Sequence, residues 1–310
     1  MPQATPPPPA AAPSSADCWT LSFHDDFDHL DLWSEAGGIW KTSYVWGNDI
    51  VINEELQYYV DPRVHGVMPF RVADSVLSIE AAPAPKALQS AIGGQEYTSG
   101  LITTEQAFAQ LYGYFEVRAQ IPAGQGLWPA FWMLPSVETW PEGVDVLPEI
   151  DVLEALGQDP ATYHTTVHSN AGATTANQRT HSVGDLSAGF HDFGVDWSPS
   201  AITFYLDRKP LSVVPTPPDM HTPMYVLLNL AVGGWAGAPD KSTEFPAHFR
   251  IDRVRVYRRA EAAPAACEAG IVPGRLEQSE TLRNETGTSM LPPAAELQAL
   301  GFAVDGGVAP

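Results

Sequence analysis

The chain is poor in several things at once, and each shortage removes a class of function. Cysteine occurs twice in 310 residues, at Cys18 and Cys267, which excludes cysteine-rich zinc sites and a disulfide-dense scaffold. The two flank almost the whole patterned region, so they could form a single clasp if the chain ends meet in space, or remain two buried thiols. Basic residues are scarce: 16 Lys and Arg stand against 37 Asp and Glu, a formal charge of −21. Such a surface repels the phosphate backbone, and no nucleic-acid partner is expected. No apolar run approaches the 18 or more residues of a membrane span. The opening MPQATPPPPAAAPSSA lacks the basic start and apolar stretch of a secretory signal, so the route of export is not written in it. GxSxG, Walker and GxGxxG patterns are missing too, which leaves serine-hydrolase and nucleotide chemistry unsupported.

What is present is a β-rich middle. Residues 1–16 form a Pro- and Ala-rich lead expected to be disordered. From 261 to 310 the pattern loosens into an Ala, Glu, Pro and Gly mixture with one candidate short helix around PPAAELQALGF. Between them, 17–260 carries short runs such as VLSIEAA, GYFEVRAQI, ITFYLDRKPL, MYVLLNLAV and FRIDRVRVY, punctuated by Gly, Pro, Asn and Asp. Many short strands without alternating helices predict an all-β sandwich or jelly roll. In YGYFEVRAQI, Phe115, Val117, Ala119 and Ile121 fall on one face, and Tyr112, Tyr114, Glu116 and Arg118 on the other. The second face is either a binding surface or an ordinary solvated one.

The candidate chemistry centres on PEIDVLEALG. Pro148 and Gly157 bracket a strand carrying Glu149, Asp151 and Glu154. A regular strand would put Glu154 on the face opposite the other two. One extra residue at Val152 and Leu153, a β-bulge, would return it to their side. The two glutamate Cα atoms would then lie about 13 Å apart, close enough for the side chains to converge on the roughly 5 to 5.5 Å of a retaining glycosidase. Crowded carboxylates push at least one pKa up, yielding a proton donor beside an ionised partner. A solvated acidic face and a cation site remain open alternatives at this point.

Aromatic residues gather around these acids. Trp128 and Trp132 in GLWPAFWMLP share a strand face, and Trp140 follows shortly before the acids. Exposed indoles suit sugar rings, whose axial C–H bonds form an apolar face. NEELQYY offers Asn53, Glu54 and Gln57 beside two tyrosines, and NLAVGGWAG offers Asn229 and Trp235; Asn53 and Asn229 read equally as turn residues. In HTTVH, His164 and His168 share a face, but the β-branched centre makes this a strand rather than a zincin helix. His168 is the better candidate for a hydrogen-bonding position in a cleft.

Together these stretches resemble glycoside hydrolase family 16, the laminarinase- and lichenase-related β-glycanases. EIDVLE is similar to the bulged active-site signature of that family, and the resemblance covers about residues 19 to 258, through FHDDFDHLDLW, NEELQYY, YTSGLITT, YGYFEVRAQIPAGQGLWPAFWMLP, FHDFGVDWSPSAITFYLD, PMYVLLNLAVGG and IDRVRVY. It implies a jelly roll of two curved antiparallel sheets, with Glu149 as nucleophile, Glu154 as acid/base and Asp151 as their electrostatic partner. The residues by themselves do not order the two glutamates. It also implies sugar contacts from Asn53, Trp128, Trp132, Trp140 and Trp235, with His168 on the leaving-group side. No catalytic cofactor is implied; a structural calcium is, near Asp252 with Asp26 contributing. A secreted or periplasmic monomer acting on β-1,3 or mixed β-1,3/1,4 glucan is the resulting expectation. Two departures bear on the polymer: Leu101 stands where laminarin-type members often carry a basic residue, and WPEGVDVLPEID replaces a short Gly-rich link. They leave room for depolymerases of bacterial exopolysaccharide such as succinoglycan. A non-catalytic β-glucan-binding protein is the rival from another class.

Overall fold

In the computed structural model, residues 18–140, 147–171, 176–259 and 268–269 are described. The expected lead at 1–16, the candidate helix at PPAAELQALGF and Cys267 lie outside them. Seventeen strands follow in order: β1 (Cys18–Asp25), β2 (Gln57–Tyr59), β3 (Phe70–Ala73), β4 (Val76–Pro83), β5 (Tyr97–Ser99), β6 (Leu101–Thr103), β7 (Gly113–Gln120), β8 (Leu127–Pro135), β9 (Glu149–Ala155), β10 (Thr162–His168), β11 (Ala176–Ser182), β12 (His191–Trp197), β13 (Ala201–Leu206), β14 (Lys209–Pro215), β15 (Met224–Val232), β16 (Ala247–Arg259) and β17 (Glu268–Ala269). They build two sheets. One runs β14-β13-β12-β7-β16-β4-β5-β2, with β1 and β3 attached; the other runs β11-β10-β9-β8-β15-β6. Pairing is antiparallel except between β2 and β5. No helix among the described residues is long and apolar enough to cross a membrane.

The sequence alternation explains the layering. Phe115, Val117 and Ala119 of β7 and Ile121 just after it enter one large core, with Val254 and Val256 of β16 from the same sheet and Phe131, Met133, Ile150 and Leu228 from the facing one. Tight turns hold the first sheet in register. Asp207 and Arg208 (φ 50° and 59°) link β13 to β14, and Asp74 and Ser75 (φ 54° and 55°) link β3 to β4. Both positive-φ pairs match the right-handed twist of the flanking strands.

The outer face of this first sheet carries the rings and charges that the alternation placed there. Its charges are paired with one another. Arg208 forks onto Glu116 at 2.8 and 2.9 Å, Arg253 reaches Asp192 at 2.8 Å, and Arg259 reaches Asp196 at 2.6 Å while lying over the Trp19 ring. Beyond β16, β17 pairs with β1, setting Cys18 opposite Ala269 in a segment expected to belong to the loose tail.

Candidate active site

The second sheet has the core on one face and a layer of rings and acids on the other. β9 reads Glu149–Ala155, every residue of it buried. Its registers contain the expected bulge. Asp151 faces Trp132 on β8 and Thr166 on β10, whereas Glu154 faces Ala130 and His164; three steps on β9 match two on either neighbour. The extra residue sends both Val152 and Leu153 into the main core. Glu154 is thereby returned to the face of Glu149 and Asp151, because an additional residue shifts the period-two alternation by one.

The partner strands define rows across this face. Thr166, Asp151, Trp132 and Leu227 form one; His164, Glu154, Ala130, Asn229 and Leu101 form the next. Ala130 is small and sits between Trp128 and Trp132, which leaves space beside Glu154. The sequence reading expected exposed indoles here, but Trp128 and Trp132 are fully buried, since each packs into a second cluster with Tyr44, Trp46, Tyr59 and Tyr225. They are the floor of the site. Trp140 and Trp235 are half-buried at its margin; Trp140 donates its indole N–H to the Pro135 carbonyl at 2.9 Å, and Trp235 stands edge-on to Trp128 at 5.6 Å.

Asn229 lies mid-strand in β15 and is fully buried, so the turn reading fails for it. It accepts the Trp132 indole N–H at 2.8 Å and donates to the Tyr59 hydroxyl at 2.9 Å. Removing such a relay would orphan a buried N–H at a cost of about 1 to 3 kcal/mol. Asn53 has φ 54° and sits in a turn, yet its Nδ2 is buried without an aligned hydrogen bond beside Glu55. Glu54 is exposed; Glu55 is the buried acid, hydrogen-bonded by Gln57 and raised by burial to about 7. Strand alternation along NEELQYY, which groups Asn53, Glu55, Gln57 and Tyr59, is the signal that would have found it.

Electrostatics separates the three acids. Burial, then the charge of Glu149, raises Glu154 to about 8, opposed by the Thr166 hydroxyl, which donates at 3.2 Å, and by the nearby Trp128 indole. Burial and the charge of Glu154 hold Asp151 well above the usual carboxylate range, while Glu149 lies close enough to draw it back. His168 is kept largely neutral by burial, against the pull of Glu149. Its Nε2 lies 3.1 Å from Asp151 and 3.8 Å from Glu149, contacts without good hydrogen-bond alignment. These three residues are the one group among those described whose donor atoms cluster tightly enough for an ion. Their burial, with the raised carboxyl of Asp151 among them, fits acid–base work.

His168 was placed on the leaving-group side, but the register sets it opposite Glu149; His164 is the residue opposite Glu154. Asp252 and Asp26, the expected calcium ligands, are both engaged by arginines. Asp252 is engaged by Arg118 at 3.3 Å and Arg253 at 3.0 Å, and Asp26 by Arg255 at 3.1 Å, so guanidinium groups already occupy these carboxylates.

Comparison with known proteins agrees with this geometry. The sequence profile of Glycosyl hydrolases family 16 matches residues 70–255. The chain is 45% identical over 246 residues to Endo-1,3-1,4-beta-glycanase EglC of Rhizobium meliloti, covering 77% of this chain but 51% of that protein. It is 35% identical over 270 residues to the Beta-glucanase of Rhodothermus marinus, covering 78% of this chain and 86% of that one. The laminarinase structure from Rhodothermus marinus superposes with a TM-score of 0.64 at 33% identity, over 78% of this chain and 98% of that chain. The chain spans about half the length of the Rhizobium protein it matches. With the profile, the identities and the bulged acidic strand all in agreement, this chain belongs to Glycosyl hydrolases family 16.

Proposed function

We propose that this chain is an endo-acting, retaining β-glycanase that cuts β-1,3 or mixed β-1,3/1,4 glucan. The observation that carries the reading is the pair Glu149 and Glu154 on one face, four register steps apart along β10, with Glu154 holding its proton near neutral pH. Four steps are about 13 Å between Cα atoms, a span that two inward-leaning glutamates reduce to roughly 5 to 5.5 Å. Glu149 attacks the anomeric carbon while Glu154 protonates the departing oxygen; Glu154, now ionised, deprotonates the water that releases the sugar. Asp151, neutral and beside Glu149, steadies the nucleophile's charge without adding another. Asn53, the buried Asn229–Tyr59–Gln57–Glu55 group and the Trp128 and Trp132 floor receive sugars on one side, with Trp140 and Trp235 at the edge. No metal enters the reaction. A polysaccharide substrate lies outside the cytoplasm, and the enzyme meets it there; it acts as a monomer.

A second reading, a bacterial exopolysaccharide of the succinoglycan kind, is favoured by Leu101, a fully buried apolar residue beside Asn229 where a basic contact would otherwise stand. A panel of laminarin, lichenan and succinoglycan with product sizing separates the two. Product NMR should show retention at the anomeric carbon, and Glu149→Ala should abolish turnover. Inversion, or an active Glu149→Ala protein, overturns the mechanism; binding of all three polymers without release of reducing ends turns the reading to a binding protein.

A further inference from the structure

The pairing of charges on the outer face of the first sheet stops at its β3–β4–β16 corner. There the registers set Arg71 opposite Ser78, Ser78 opposite Arg250 and Arg250 opposite Gln120, one row across β3, β4, β16 and β7. Their chain neighbours Phe70, Leu77, Ile79, Phe249 and Ile251 enter the core, so the row itself faces outward. Arg71 and Arg250 are both exposed. With neighbouring strands about 4.8 Å apart, the two arginine Cα atoms stand about 10 Å from each other, on either side of the short Ser78 side chain.

Elsewhere on this face the guanidinium groups have carboxylates. Arg118 and Arg253 reach Asp192, Arg208 reaches Glu116, Arg255 reaches Asp26 and Arg259 reaches Asp196. Arg71 and Arg250 make no ion pair with any described residue. Arg250 instead donates to the Gln120 side-chain oxygen at 3.1 Å and lies over the Phe190 ring at 5.5 Å, contacts that hold its guanidinium in place. The two arginines, Ser78, His248 and Asp74 of the β3–β4 turn border a hollow of about 360 Å³, the size of a small-ligand site. Asp74 is the one carboxylate in that lining, against two guanidinium groups, so the hollow carries an excess of positive charge. On a chain of formal charge −21, which repels anions over most of its surface, such a place is where an anionic ligand can settle.

We propose that Arg71 and Arg250 clamp an anion on this outer face, with the Ser78 hydroxyl donating from between them, and that the anion is a carboxylate carried by a sugar chain. Guanidinium forks match the two oxygens of a carboxylate, and the gap over Ser78 admits one such group between them. The site belongs to the first sheet, and Glu149 and Glu154 to the second, so it holds a polymer without entering the reaction. It gives an acidic protein a grip on an acidic polysaccharide that its overall charge would otherwise repel. The choice of a sugar as carrier rests on the glycanase reading; the anion clamp does not. The test compares the parent, Arg71→Ala and Arg71→Lys, each also carrying Glu149→Ala so that neither polymer is cut, for binding to laminarin and to carboxymethyl-laminarin. Arg71 is exposed and holds no ion pair, so its replacement leaves the fold intact.

The ratio of Kd on laminarin to Kd on carboxymethyl-laminarin should fall roughly twofold to fivefold in Arg71→Ala, the scale of one exposed charge pair, and Arg71→Lys should keep most of it. In 1 M NaCl, which screens charges beyond about 3 Å, the difference between the chains should vanish. An unchanged ratio in Arg71→Ala, or a difference that survives 1 M NaCl, overturns the clamp. Arg71-dependent binding of inorganic phosphate as tight as that of the carboxymethyl polymer overturns the sugar carboxylate as its occupant. Failure of the glycanase reading is a separate result: chains with Glu149 intact would then release no reducing ends from laminarin, lichenan or succinoglycan, whatever the ratio shows.

Discussion

Replacing Glu154 by Gln should remove activity and stabilise the protein, and the stabilisation should grow with pH. Glu154 rises from an ordinary glutamate value of 4.5 to about 8 because it is buried beside the charge of Glu149. At pH 7 about nine-tenths of the enzyme then holds the proton that the departing oxygen needs, and by pH 9 only about one-tenth does. A carboxyl whose folded pKa exceeds its unfolded one stabilises the fold fully below the unfolded value, and the benefit is lost as pH rises to the folded value. The penalty carried by the native residue is therefore about 1 kcal/mol at pH 5, about 3 kcal/mol at pH 7 and nearly 5 kcal/mol at pH 9. Glutamine has no charge to bury. Its melting temperature should exceed that of the parent by up to about 6 to 12 °C at pH 7 and by less at pH 5, at roughly 2 to 4 °C per kcal/mol for a domain of this size. The amide N–H groups must find acceptors in the same space, which lowers the whole difference but not its slope with pH. Melting scans of both proteins from pH 5 to 9, beside lichenan turnover, provide the check; turnover should fall about 10²- to 10⁴-fold. A melting difference that stays flat or shrinks as pH rises refutes the buried-acid argument.

Other outcomes follow from the same structure. Deleting Leu153 removes the extra residue, so a regular strand then carries Glu149, Asp151 and Glu154 on one face at period-two spacing; the variant should keep its acids aligned and retain measurable lichenan turnover, and a soluble, folded variant with no turnover at all refutes the register argument. Because Asp252 and Asp26 are held by Arg118, Arg253 and Arg255, chelator should leave the melting temperature within about 1 °C of its value in added calcium. A larger calcium-dependent rise would show a cation displacing those arginines.

Much of this was written in local pattern. Period-two alternation along β7 and β16 fixes which side chains enter the core, and the two-then-three spacing of Glu149, Asp151 and Glu154 is compatible with one buried face only through a bulge, as the registers on β8 and β10 bear out. Such features depend on neighbours within one strand, where backbone geometry alone dictates direction. What one strand meets across the sheet is not dictated locally. Only the assembled fold decided that Trp128 and Trp132 are floor rather than platform, because Tyr44, Trp46 and Tyr225 arrive from distant segments to cover them. Only cross-strand register gave Glu154 its partner His164 and moved His168 to Glu149, since HTTVH looks the same whichever residue it is paired against. The charges of IDRVRVY, which suggest an ion site in isolation, were claimed by arginines and aspartates brought in from β7, β12 and β16 itself. Burial of the acids, and with it the shift of Glu154 that makes it a proton donor, likewise comes from the layers around β9 rather than from the strand: desolvation belongs to the fold.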